Sequence, residues 1–233
     1  MTSTREGLVE RRLSTPRAAA LAGLLFSLLF GTTLVLIRIA LPGEVGGSAS
    51  VAQAAGKLRV AITLMPFAGI AFLWFLGVVR DRLGELEDRF FASVMLGSGL
   101  LFLAMVFVAM ALAGGIFVFS QRAAGPADEE IIGFSREVML QISNVYALRM
   151  AAVFMISLAT IWLRTGVMPR WIVISTYVLA LALLVVTSLS LWVTLVFPVW
   201  VAIVSLFILV TTLRGSRAQQ TLPSEPDARE SDT

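Results

Sequence analysis

The chain has 233 residues, of which 58% are apolar and 14% charged, and its mean hydropathy is +0.90. That composition lies outside the range of water-soluble globular domains, so lipid is the expected solvent of the fold. Cysteine and histidine are both absent, which excludes disulfides, thiolate or imidazole metal sites, haem ligation by either residue, Cys or Ser-His nucleophiles and a histidine pH switch. The net charge is +3 and the pI about 10.2. In this apolar context the basic excess reads as topogenic arginine, and no nucleic-acid partner is expected.

Residues 1–17 form a polar N-terminal segment with Arg5, Arg11, Arg12 and Arg17, followed by an apolar run of 24 residues from Ala18 to Leu41. At about 1.5 Å per residue such a run crosses about 30 Å of hydrocarbon. Arg11-Arg12 resembles a twin-arginine dipeptide and Ala52-Gln53-Ala54 a cleavage site, so a signal peptide competes with a membrane anchor. The run exceeds the roughly 7–15 residues of a signal core, and the small residues lie well beyond Pro42, which favours a retained anchor.

A Gly, Ser and Ala-rich loop, Pro42 to Gly56, leads to a second span, Val60 to Val79, that carries Pro66. Pro66 is a candidate kink. A charged turn from Arg80 to Arg89 then separates it from a third apolar run, Phe90 to Ser120. Arg80 and Arg82 stand where one helix ends, and Glu85, Glu87 and Asp88 where the next begins, as helix dipoles favour. Gly84 can supply the break, so Arg59 to Ser120 is expected to form a membrane hairpin. The third run has 31 residues, about 46 Å as helix. It should therefore tilt or project from the bilayer, with Gly114-Gly115 as a place to loosen.

Gln121 to Ile142 is the longest connection between spans. Gly125-Pro126 breaks structure, Asp128, Glu129 and Glu130 suit a first helical turn, and Ile131, Phe134, Val138 and Ile142 recur at helical spacing. An amphipathic helix on the outer membrane surface is expected, and a partner-binding helix would read the same way. The fourth span is expected from about Asn144 to Leu163, closed by Gly166, with Pro169 opening the next helix. Trp171 to Leu213 holds 43 residues without a charge, about 64 Å as one helix. Two spans are therefore expected, Trp171 to Leu189 and Trp192 to Leu213, turning at Ser188, Ser190 and Trp192. Arg214 to Thr233 reads as a disordered polar tail.

The expectation is an all-α polytopic membrane protein with six transmembrane helices and one outer amphipathic helix. Its parts are a cytoplasmic segment 1–17, a transmembrane domain 18–213 and a cytoplasmic tail 214–233. With both termini inside, twelve arginines fall on the inner side and only Lys57, Arg59, Arg122 and Arg136 outside, with Arg38 and Arg149 inside spans. That bias matches the positive-inside pattern of a cell-membrane protein. Trp74, Trp162 and Trp171 fall toward the inner boundary and Trp192 at the outer turn, as interfacial anchors.

Ionised residues within spans are functional candidates by default. Arg38 and Arg149 lie near the outer ends of their helices and Arg59 begins the second at similar depth, so the three could converge on an anion or lipid headgroup. Alternatively each snorkels to the interface or pairs with Glu44, Asp128, Glu129, Glu130 or Glu137. No span contains a carboxylate, which weighs against an ion-coupled carrier. Small residues (Ala109, Ala113, Gly115, Ala147, Ala151, Ala152) permit close helix contact, and Thr32, Thr33, Ser157, Thr160, Ser175 and Thr176 can bond across helices. No phosphate loop, dinucleotide fingerprint, GxSxG or HExxH is present, so no catalytic, cofactor or metal residues are assigned.

The run Pro66 to Phe91, with its charged turn Arg80-Asp-Arg-Leu-Gly84, resembles an uncharacterised family of bacterial, actinobacterial multi-pass membrane proteins. Tyr146 to Ala152 and Arg164 to Arg170 extend the likeness over about half the chain. The resemblance implies an architecture and no activity. The functional expectation is a non-enzymatic accessory, scaffold or sensor subunit whose partners are membrane lipids and a membrane protein or a second copy. The alternative is a permease or lipid/anion-binding protein using Arg38, Arg59 and Arg149.

Overall fold

The structure, a computed structural model, describes residues 3–40, 54–83, 89–122, 125–185 and 193–220, with side chains from residue 18 to residue 214 except at positions 81–89 and in the gaps. All regular structure among the described residues is helical. Helix α1 runs Ser3–Ala40, α2 Ala55–Leu83 and α3 Arg89–Ser120. Helix α4, Pro126–Gln141, passes through a π turn, Ile142–Ala147, into α5, Leu148–Thr165. Helix α6 is Arg170–Val185, and a 3₁₀ turn, Val193–Leu195, leads into α7, Val196–Gln220.

Five helical stretches are long and apolar enough to cross a membrane: Ala18–Ala40, Ala55–Arg80, Phe90–Ser120, Pro126–Thr165 and Val193–Arg214. The fold is thus an all-α membrane-protein fold, with a count of six only approximate. Helix α6 has 16 residues, about 24 Å, against about 30 Å of hydrocarbon. The expected end at Leu189 and the expected turn at Ser188, Ser190 and Trp192 lie outside the described residues.

Several boundaries differ from expectation. Helix α3 is unbroken for 32 residues through Gly114-Gly115, where Gly114 faces Ile62 of α2 and Gly115 faces open space. The amphipathic segment does form a helix, but it runs into the fourth span with no break. Its buried side runs through Ile132 and Met139 and faces α3, whereas Ile131 and Phe134 of the expected apolar stripe are exposed. Helix α7 passes Leu213 and continues to Gln220, so the first part of the expected disordered tail is helical. Arg214 and Arg217 there suit the negative end of the helix dipole. Helix α2 runs through Pro66 without interruption. Helix α2 continues through Arg80 to Leu83 and α3 begins at Arg89, so both ends of the expected turn Arg80 to Arg89 are helical; Gly84, Glu85, Glu87 and Asp88 lie outside the described residues. The α5–α6 turn forms as the sequence indicates. Gly166 takes φ +65 and donates its N–H to the Trp162 carbonyl at 3.0 Å, and the Pro169 carbonyl accepts from Ile172 at 3.0 Å. A left-handed closing position is what glycine accommodates without strain.

The helices meet around aromatic rings. Phe72 of α2 lies 4.8 Å from Phe26 of α1, 5.4 Å from Phe102 of α3, 5.8 Å from Phe154 of α5 and 6.1 Å from Phe197 of α7, centroid to centroid. Phe197 in turn lies 4.6 Å from Phe102 and 6.0 Å from Trp200. Tilted and edge-to-face geometries dominate, as the ring quadrupoles prefer. In lipid, where burial from water does not drive helix association, such van der Waals packing carries the fold. Trp162, expected at the interface, is buried and lies 6.1 Å from Trp200, whereas Trp74 and Trp171 are exposed.

Small residues act where helices close in, though not at every expected position. Ala109, Ala113, Ala147, Ala151 and Ala152 are buried, while Gly115 is exposed with open space around it. The tightest approach is at Gly23, where an added methyl would overlap Ser205 Oγ of α7 and meet the Phe75 ring at 3.0 Å. Ser205 Oγ is buried without a hydrogen-bond partner among the described residues.

Phe72→Ala should cost about 3–5 kcal/mol of stability, read as a lowered unfolding midpoint in mixed micelles. Phe67→Ala, on a 58% exposed ring, should stay within about 1 kcal/mol; equal losses would mean the rings do not hold the bundle. At the α1–α7 contact, Gly23→Ala should lower the midpoint. Ser205→Ala should leave it unchanged or raise it, because the hydroxyl removed is unsatisfied.

Candidate functional site

Arg38 stands in the last turn of α1, where a cation is favoured by the helix dipole. It is half-buried, and its Nη2 donates to Asn144 Oδ1 at 2.7 Å across 106 residues of sequence. Asn144 belongs to the π turn between α4 and α5. Ser143 Oγ donates toward the same Oδ1 and toward the Leu140 carbonyl, each at 3.3 Å. Asn and Ser are weak helix formers because their side chains compete for backbone and neighbouring groups. Placing both in one turn suits a local change of helical register, and π turns often mark functional positions.

Arg136 of α4 joins this end of the bundle. It lies near enough to Arg38 for the two charges to repel, its side chain is only 14% exposed, and its Nη1 is 3.6 Å from Glu137 Oε1. Below Arg38 is a cavity of about 40 Å³ between α1, α2, α3, α5 and α7, walled by residues such as Phe30, Met65, Phe102 and Met110. Since one water needs about 10–15 Å³ by such a measure, the space takes a few waters and excludes an organic ligand.

The three arginines singled out by sequence do not all reach this place. Arg59 and Arg149 are exposed and line no part of the cavity. In α2 the inward face is set by Leu58, Ala61, Met65 and Ala68, and in α5 by Leu148, Ala151, Ala152 and Met155; both arginines fall off those faces. Shared depth along the membrane was legible from the sequence, but rotational phase decides convergence. Phase was also the signal that would have singled out Asn144 and Arg136. Of the hydroxyls expected to bond across helices, two do. Trp200 Nε1 donates to Thr176 Oγ1 at 3.0 Å and Thr160 Oγ1 pairs with the Tyr177 hydroxyl at 2.7 Å. Thr33, Ser157 and Ser175 donate to carbonyls of their own helices. No group of three acidic side chains that could hold a metal occurs among the described residues.

As it stands, the site is a charged tether between α1 and the π turn. Arg38→Gln should therefore lower the unfolding free energy by about 1.5–3 kcal/mol, the range for a hydrogen bond to a charged group. Arg149→Gln, measured in the same detergent, should be neutral. A neutral Arg38→Gln would show that the tether contributes nothing.

No protein-family model, no curated protein and no solved structure matches this chain.

Proposed function

We propose that the chain is a non-enzymatic integral membrane protein, an accessory or scaffold subunit of the cell membrane with both termini cytoplasmic. Its working surface on this reading is the hairpin of α3 and α4. One observation carries it: the hairpin is longer than the bilayer needs, and large apolar side chains stand exposed on the part that projects. Counting about 20 residues for one crossing from the inner end at Phe90 leaves Met110 to Ser120 beyond the hydrocarbon. The same count from Thr165 leaves all of α4 beyond it. Val118 is 54% exposed, Ile131 50% and Phe134 72%, and Glu129, Glu130 and Glu137 of α4 are exposed with them. Exposed apolar side chains rimmed by polar ones mark a protein interface.

The filled interior supports the same reading. Phe26, Phe72, Phe154 and Phe197 are fully buried at the middle of the bundle, and the cavity beside them holds only a few waters. A permease working through Arg38, Arg59 and Arg149 is disfavoured, because it would need both convergence of the three side chains and room for an anion.

A photo-reactive residue at Phe134 should give a protein adduct of discrete mass in intact cells, while the same residue at lipid-facing Phe67 should give none. Phe134→Ser should abolish co-purification of that protein without moving the unfolding midpoint. Adducts to lipid alone at Phe134 would defeat the proposal.

A further inference from the structure

At the end of the bundle opposite Arg38 a crevice of about 640 Å³ opens sideways. It lies where α6 packs along α5 and α7 along α1, α6 and α7 being bridged by the Trp200–Thr176 hydrogen bond and the Trp171–Phe207 ring contact at 6.3 Å. Phe75 and Val79 of α2, Trp162 of α5, Met168 of the α5–α6 turn, and Ile208 and Thr211 of α7 form the walls. Thr211 Oγ1 donates to its own helix at the Phe207 carbonyl, 2.9 Å away, so this wall asks for no polar ligand. The volume falls in the roughly 300–1,000 Å³ range of small-molecule sites, and the lining suits hydrocarbon.

The mouth has the opposite character. Arg80 follows Val79, Arg170 follows Pro169, and Arg214 stands one turn beyond Thr211 on the same side of α7; all three arginines are exposed. The acidic residues of this end, in the turn 80–89, lie outside the described side chains. An apolar slot beneath a cationic rim complements a lipid with one chain in the slot and a negative headgroup above it. Guanidinium groups bind phosphate oxygens in a matching planar geometry.

We propose that this crevice is a binding site for an anionic diacyl phospholipid, with one acyl chain against Trp162 and Ile208 and the phosphate held by Arg170 and Arg214. The site is separate from the α3–α4 surface, so either assignment can fail alone.

The test uses the full-length chain, delipidated in a mild detergent, titrated with phosphatidylglycerol or phosphatidylcholine carrying brominated acyl chains. Bromine quenches nearby tryptophan, and Trp162 lines the slot. Saturable quenching by phosphatidylglycerol is expected, with phosphatidylcholine far weaker, and Trp162→Phe should reduce the saturable part while Trp74→Phe leaves it unchanged. Arg170→Gln and Arg214→Gln, both exposed and so compatible with folding, should each weaken phosphatidylglycerol about fivefold. Equal quenching by the two lipids, or a saturable part undiminished by Trp162→Phe, would overturn the proposal. So would unchanged affinity in the doubly substituted chain, or a partner protein occupying the slot in place of lipid.

Discussion

Phe72 and Phe197 meet where α1, α2, α3, α5 and α7 come together, and the bundle depends on that contact. Water drives helices into the membrane but does not press them against one another once there. What remains is shape: flat rings packed at angles, each touching rings from several helices. Phe26 and Phe30 stack at 5.1 Å within α1 and present one edge to α2 and another to α3. A set of rings shared by five helices makes their positions interdependent, since no one helix can shift without uncovering rings on the others. Hydrogen bonds between helices are few beside this, and most hydroxyls within the bundle turn back to their own backbone.

Much of the scaffold was written in the sequence as length and punctuation. The apolar runs before and after the charged turn had to be helices, and Gly166 with Pro169 had to separate α5 from α6. These are constraints on one chain segment at a time, which is why they can be read without coordinates. The boundary of α4 with α5 was not legible, because an amphipathic helix meeting a span with no breaker between them gives no signal for bend or continuity. Asn144 sits at that junction and serves as an acceptor for Arg38, a pairing across 106 residues that no local pattern encodes.

The arginine site shows the same division between depth and phase. Counting along the helices puts Arg38, Arg59 and Arg149 at one level, and of the three Arg38 lines the cavity. Exposure at Arg59 and Arg149 follows from the positions of Leu58, Ala61, Leu148 and Ala151 on the buried faces. In a nearly all-apolar helix, however, lipid-facing and core-facing residues look alike. Leu28 is 67% exposed and Phe26 fully buried although both are apolar and two residues apart. Lipid removes the polar contrast that reveals phase in a water-soluble helix, so the sequence showed which residues span and not which way they face.

A bundle closed at its middle and irregular at both ends restricts where activity can reside. Moving a solute through the centre would require separating Phe26, Phe72, Phe102, Phe154 and Phe197 together, since each packs on at least two of the others. At about 0.5–1.5 kcal/mol for each ring pair beyond area burial, opening the seven pairs among them costs about 3.5–10.5 kcal/mol, of the order of the ~5.5 kcal/mol that inverts a two-state equilibrium. The ends are different. On one side a π turn, a half-buried arginine and an over-long hairpin lie together; on the other a crevice opens beside α7. The recognition proposed for the two surfaces, of protein at one and of lipid at the other, would need no disturbance of the rings.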